Sequence, residues 1–239
     1  MGAEVKVQSF EHKDVDGKVY ELKNIIGRLF PEKQKRIILG AHYDTKRYAD
    51  KDKKHPEAPV MGANDGASGV ALLLELARVL KENYASPNVG VDIVFFDGEE
   101  GEPDLVKANW EPLGSKYFVT RLRDIYPDQK PILGIVADMV CDKNLGIYKE
   151  PLSMQFAGDF VNGFWKVARQ TAPEVFMDKT GPAVGDDQMP LIAAGIPSIL
   201  VIDIEYPYHH TSHDTLDKCS AESLKMVGDA FLRFVGCLR

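Results

Sequence analysis

A chain of 239 residues, 44% hydrophobic and 27% charged, is long enough to bury one large core and short enough to need no second domain, so residues 1–239 read as one domain. Its formal charge of −7 excludes nucleic acid as a partner, and the short Lys51–Lys54 cluster reads as a solvated turn. No apolar run approaches the roughly 20 residues of a membrane-crossing helix, and no membrane partner is expected.

Val5 to Phe10 and Val19 to Leu29 are β-rich runs separated by Asp16-Gly17, a hairpin signal, so the chain is expected to open with two antiparallel strands. Arg36 to Ala41, Val89 to Phe96, Ile132 to Ala137 and Ser198 to Ile204 are short continuous apolar runs, the pattern of central strands covered on both faces. Between them, Ala67 to Glu82 repeats apolar residues at helical spacing, as does the segment around Phe160 to Ala168. A last helix starts at a Ser220 N-cap and carries Leu224, Val227, Phe231 and Phe234 on one stripe. Strands alternating with helices predict an α/β fold, a three-layer α/β/α sandwich with a mixed, mostly parallel central sheet and an N-terminal antiparallel hairpin. The two long loops, Asp44 to Met61 and Gly101 to Pro112, stand beside strand ends and are natural pocket walls.

Metal-type side chains fall just after these strands, where an open α/β sheet gathers its loops on one edge. Phe95-Phe96-Asp97-Gly98-Glu99-Glu100 ends a strand with adjacent carboxylates whose side chains diverge, so one can ligate a metal while the other acts on substrate as acid or base. Gly62-Ala63-Asn64-Asp65-Gly66-Ala67-Ser68-Gly69 runs into a helix, with Asp65 placed to bind or bridge a metal, or to cap the helix. In His42-Tyr43-Asp44 the carboxylate stands behind the imidazole, as for a metal-bound histidine or a structural pair. Asp138 terminates a strand buried on both faces and requires a compensating partner. His209-His210-Thr211-Ser212-His213 supplies imidazole, which selects zinc over magnesium or calcium when the other donors are carboxylates. Together these positions predict a metal-dependent enzyme.

The ordered set GAHYDT, GANDGASG, FFDGEE, VADMV and HHTSHDT resembles the zinc-dependent M28 peptidase clan and, within it, the glutaminyl cyclases, over most of the chain from Arg36 onward. The resemblance implies Asp65, Glu100 and His210 as zinc ligands and Glu99 as general acid/base. One zinc is implied for a cyclase, with Asp138 in the catalytic hydrogen-bond network; two for an aminopeptidase, with His42 and Asp138 completing a second site bridged by Asp65. Thr45 to Asp50, Tyr206-Pro207-Tyr208 and Gly185-Asp186-Asp187-Gln188-Met189-Pro190 are similar to bacterial cyclases, the last placing Asp186 where aminopeptidases commonly carry serine. The sequence departs from that pattern at His209, where cyclases usually have tryptophan, at Gln188, where they have histidine, and at Trp110, which stands farther along its loop. Trp110 and His209 are the candidate substrate-pocket walls; Trp110 could equally anchor its loop to the core, and Asp186 could cap the helix that follows.

The expected activity is therefore conversion of an N-terminal glutamine to pyroglutamate with release of ammonia by Glu99, Asp138 and Asp186 around zinc, the substrate partners being peptide or protein N-termini. The alternative is hydrolysis of the first peptide bond by a two-zinc aminopeptidase. A third reading, a peptide-binding domain without catalysis, would be expected to lose ligands, and none is missing. Met-Gly-Ala-Glu-Val-Lys lacks the apolar core of a signal peptide, so the chain is cytoplasmic or has lost a leader; the resemblance favours an extracytoplasmic location. Three cysteines, Cys141, Cys219 and Cys237, are too few for a disulfide framework and read as buried or free thiols, with one pairing left open.

Overall fold

The computed structural model describes residues 2–14, 16–83, 88–101 and 110–238. Its main sheet has six strands in the order β1 (Glu4–Lys13), β2 (Val19–Leu29), β4 (Gly90–Phe96), β3 (Arg36–His42), β5 (Leu133–Asp138) and β8 (Ser198–Ile202). β3, β4, β5 and β8 are mutually parallel, and β2 joins β4 antiparallel, so the opening hairpin extends the sheet at one edge. Its register runs from Glu4 opposite Arg28 to Lys13 opposite Val19. The Asp14 carboxylate accepts from Asp16 N and Lys18 N at the turn. β3, β5 and β8 are buried at every position, as their unbroken apolar sequences predict.

Helices α1 (Ala67–Asn83), α4 (Pro151–Ala168) and α6 (Ala221–Cys237) cover one face, where Phe164 contacts Trp165, Phe176, Phe231 and Phe234. α2 (Leu113–Thr120), α3 (Leu122–Ile125) and α5 (Gln188–Ala193) cover the other around Phe96, Phe118 and Leu191. This is the expected three-layer sandwich. Ser220 caps α6 by accepting from Glu222 N and Ser223 N, as its sequence position predicts. Two short strands, β6 (Ile147–Lys149) and β7 (Phe176–Thr180), form a separate parallel pair that the sequence reading passed over, as it did α2; β6 is too short to show a period. Among the described residues no helix is long and apolar enough to cross a membrane.

α1 connects β3 to β4 on one face, and α2 with α3 connects β4 to β5 on the other, so the loops part above β3 and leave a crevice at the carboxyl ends of the parallel strands. α1 meets the sheet closely at Gly69, where a Cβ would stand 2.3 Å from Ala137 O. Cys141 and Cys219 form a disulfide that ties the segment after β5 to the entry of α6, which resolves the open pairing, while Cys237 is free and exposed.

Candidate active site

A cavity of about 210 Å³ opens at this crevice, and Asp65, Glu99, Glu100, Trp110, Asp138, Asp186, His209 and His210 all line it. They come from six segments, and the fold alone brings them together. His42 stands directly beneath, 1% exposed, with Nε2 at 3.0 Å from Asp138 Oδ1 and 3.3 Å from Asp65 Oδ1. Because a carboxylate only accepts, His42 Nε2 carries the hydrogen that faces both. Burial works against a charged imidazole here, but the charge and hydrogen bond of Asp138, with Asp44 and Asp65 behind, hold its pKa well above the ordinary value.

β4 delivers Glu99 and Glu100 through Gly98, whose φ of 73° lies in the left-handed region that glycine enters without strain. The chain turns there, and the N–H groups of Glu99 and Glu100 both donate to the Asp44 carboxylate at 3.1 Å. Asp44 thus holds the Glu99–Glu100 turn, and its Oδ1 also stands 3.5 Å from His42 Nδ1, the carboxylate behind the imidazole that the sequence predicts. Lys46 reaches the same turn, its Nζ at 3.2 Å from Glu100 O and 3.3 Å from Glu100 Oε2.

Asp65 does not cap α1: its Oδ1 faces His42, and its Oδ2 lies 3.6 Å from His210 Nε2. Asp214, from the loop after β8, accepts the backbone N–H groups of Asn64 at 2.9 Å and Asp65 at 3.1 Å. His210 Nε2 stands 3.1 Å from Glu100 Oε2, and its Nδ1 stands 3.0 Å from Asp50 Oδ1. His210 holds φ at 56° and Met139, next to Asp138, at 46°; non-glycine residues in that region are strained, and both flank the cavity.

Asp65 Oδ2 and Glu100 Oε1 are buried with no hydrogen-bond partner. Leaving anionic oxygens unpaired is costly, and a cation between them and His210 Nε2 would satisfy both. Two carboxylates and an imidazole suit zinc, so Asp65, Glu100 and His210 fit the metal that the sequence implies. His42, Asp65 and Asp138 also offer atoms within 4.8 Å of one another, as do Asp65, His209 and His210.

Glu99 lines the cavity beside Glu100. Burial, then the charge of Asp186, raises its pKa well above the ordinary carboxylate value. Burial and the nearby Asp138 and Asp187 raise Asp186 likewise. Asp186 is 2% exposed; its Oδ1 accepts from Asp187 N, so it makes one local turn bond while facing the site. The neighbouring Asp187, fully buried, is pushed up to about 7 by burial. Trp110 donates from Nε1 to Glu99 O at 2.7 Å and packs towards Gly185, forming a wall across the cavity mouth; residues 102–109 of its loop lie outside the described residues. His209 is driven down to about 3 by burial and by the neighbouring His210 and Lys51. Sequence reasoning missed Asp50, Lys51, Asp187 and Asp214 as parts of the site. Asp214 stood inside the quoted HHTSHDT motif, but its bond to Asp65 crosses the fold.

A buried carboxylate-rich crevice with an imidazole, at the strand ends of a three-layer α/β sandwich, is a candidate metal centre. Residues 24–235 match the model of Peptidase family M28, and the chain belongs to that family. The glutaminyl cyclase of Bacteroides thetaiotaomicron, solved bound to N-acetylhistamine, superposes with a TM-score of 0.91 and 35% identity, covering 100% of this chain and 85% of that one. The Drosophila melanogaster glutaminyl-peptide cyclotransferase is 33% identical over 50% of this chain and 31% of its own length. Aminopeptidase YwaD of Bacillus subtilis is 28% identical over 87% of this chain and 42% of its own length. The chain thus spans less than half of both of these curated relatives. Family membership and the zinc-dependent exopeptidase among the structural neighbours imply zinc.

Proposed function

We propose that this protein is a zinc-dependent glutaminyl cyclase that closes the N-terminal glutamine of a peptide to pyroglutamate and releases ammonia. The observation that carries this reading is Asp186, a third buried carboxylate on the wall shared by Glu99 and Asp138. The likeness to bacterial glutaminyl cyclases along the whole chain supports it. A cavity of about 210 Å³ lies below the ~300–1,000 Å³ of drug-sized sites and suits one amino-acid side chain. Val184, Ile202 and Ile204 line it and would pack the methylenes of glutamine.

Bound by Asp65, Glu100 and His210, zinc supplies Lewis-acid polarisation of the γ-carbonyl. Glu99 takes a proton from the α-amine as the amine attacks the γ-carbon, and returns it to the departing amide nitrogen. A carboxylate serves both directions best when its pKa is brought towards the working pH, which burial and Asp186 accomplish. Asp138 accepts from His42 and so keeps one oxygen oriented beside the site. Trp110 holds Glu99 in place through the Glu99 carbonyl and excludes water from the ring-closing atoms. The Cys141–Cys219 disulfide supports an oxidising, extracytoplasmic setting.

One observation favours the second reading, a two-zinc aminopeptidase: His42, Asp65 and Asp138 stand within 4.8 Å and are all buried. Zinc-edge anomalous scattering from crystals grown with the metal tests the choice. The cyclase reading expects one peak among Asp65, Glu100 and His210; a second of equal height at His42 and Asp138, with release of free amino acids from peptides, would overturn it.

A further inference from the structure

His209 is the wall residue that the proposed mechanism leaves without a task. Its Nε2 lies 3.8 Å from Asp65 Oδ2, so distance alone would admit it as a fourth metal ligand. The other ring nitrogen decides the matter. Lys51 Nζ stands 3.1 Å from His209 Nδ1. An ammonium has only hydrogens to offer, so Nδ1 must accept, and the single proton of the neutral ring then sits on Nε2, leaving no lone pair there for a metal. At His210 the backing is reversed. Asp50 Oδ1, 3.0 Å from His210 Nδ1, can only accept, which puts the hydrogen on Nδ1 and, with a cation seated between Nε2 and the Asp65 and Glu100 carboxylates, would leave the Nε2 lone pair to that cation.

We propose that the adjacent residues Asp50 and Lys51 impose opposite tautomers on the adjacent histidines, making His210 the metal ligand and His209 an Nε2–H donor to the carbonyl oxygen on which the enzyme acts. The loop is built to hold this arrangement: Lys51 N donates to His210 O at 3.2 Å, and Asp52 Oδ2 accepts from Ser212 Oγ at 2.6 Å. Asp50, Lys51 and Asp52 thus each grip the 209–212 segment. His209 is 20% exposed and lines the same cavity as Glu99, so its Nε2–H is presented to substrate. As the amine attacks, negative charge grows on the carbonyl oxygen, and a donor already in place stabilises it without reorganisation. His209 touches substrate; Lys51 is a positioning residue acting through it. The identity of that oxygen as the glutamine γ-carbonyl rests on the cyclase reading, whereas the tautomer assignment does not.

The test combines nitrogen-15 NMR of histidine-labelled, zinc-loaded protein with kinetics on a glutamine-initiated peptide. The expected spectrum shows His209 protonated at Nε2 and bare at Nδ1. Lys51→Met mixes the two tautomers and lowers kcat about 10-fold, and Lys51→Arg restores both. His209→Ala lowers kcat by roughly 10² with little change in KM, while zinc affinity measured by chelator competition stays within twofold of wild type. A proton on His209 Nδ1, unchanged kcat in His209→Ala, or a tenfold loss of zinc affinity in that variant overturns the inference. Failure of the wild type to release ammonia is a different result: it removes the cyclase reading and leaves the tautomer spectrum to be judged by itself.

Discussion

Asp214 grips the backbone of Asp65 from 149 residues along the chain, its Oδ2 accepting the Asp65 N–H at 3.1 Å while Oδ1 takes the N–H of Asn64 and the hydroxyl of Tyr206. One buried carboxylate therefore fixes both the loop that carries Asp65 and the loop that carries His210. Removing it leaves two buried N–H groups unpaired and lets the two ligand loops move independently. Asp214→Ala is expected to weaken zinc binding about 10- to 100-fold in a chelator competition, with a smaller loss in melting temperature when zinc is saturating.

Glu99 lines the cavity but holds neither the metal cradle nor the loops. Glu99→Gln should retain zinc at the wild-type stoichiometry while kcat falls by about 10²–10⁴. Burial first, and then Asp186, keep the protonated form of Glu99 favoured, so activity should rise with pH through an acid limb above the ordinary carboxylate range. Asp186→Asn removes the repulsion and should move that limb to lower pH, read from kcat against pH.

Asp203, outside the catalytic cavity, is 3% exposed and pushed up to about 7 by burial, against the hydrogen bond it accepts from Gly146 N. Its unfolded value is about 3.9, so between the two values the folded state binds more protons and stability falls as pH rises, by at most about 1.4 kcal/mol per pH unit. Asp203→Asn should remove that slope. The check is urea unfolding from pH 4 to 7.5, with the difference between variant and wild type growing as pH rises.

The Cys141–Cys219 bridge closes a loop with a sequence separation of 78, for which chain entropy predicts about 4.5 kcal/mol of stabilisation. The double variant Cys141→Ser, Cys219→Ser should lose stability on that scale in denaturant unfolding. It should also bind zinc more weakly, because Cys219 stands in the segment that returns from Asp214 to α6.

Most of the architecture was legible because its signals are local. The runs ending at His42, Phe96, Asp138 and Ile202 are apolar at nearly every position, and Ser220 announces its helix by cap chemistry. The grouping of Asp65, Glu99, Glu100, Asp138 and His210 follows from a rule about strand ends. What the sequence hid is contact between distant segments. Asp44 gripping the Glu99–Glu100 turn, Lys51 backing His209 and Asp214 holding Asp65 leave no periodic trace; the lysines of the Lys51–Lys54 turn are solvent-exposed as read, but Asp52 within it is buried and the exposed Lys51 also reaches His209. The disulfide was equally invisible, since three cysteines allow three pairings and only the fold selects one.

Ring closure and hydrolysis differ in their products. The zinc-loaded protein is incubated with a peptide beginning with glutamine, and peptide mass and ammonia are followed together. Ring closure yields a peptide lighter by one ammonia, with ammonia released mole for mole and every peptide bond intact. Release of free glutamine and a peptide shortened by one residue, without ammonia, would contradict it.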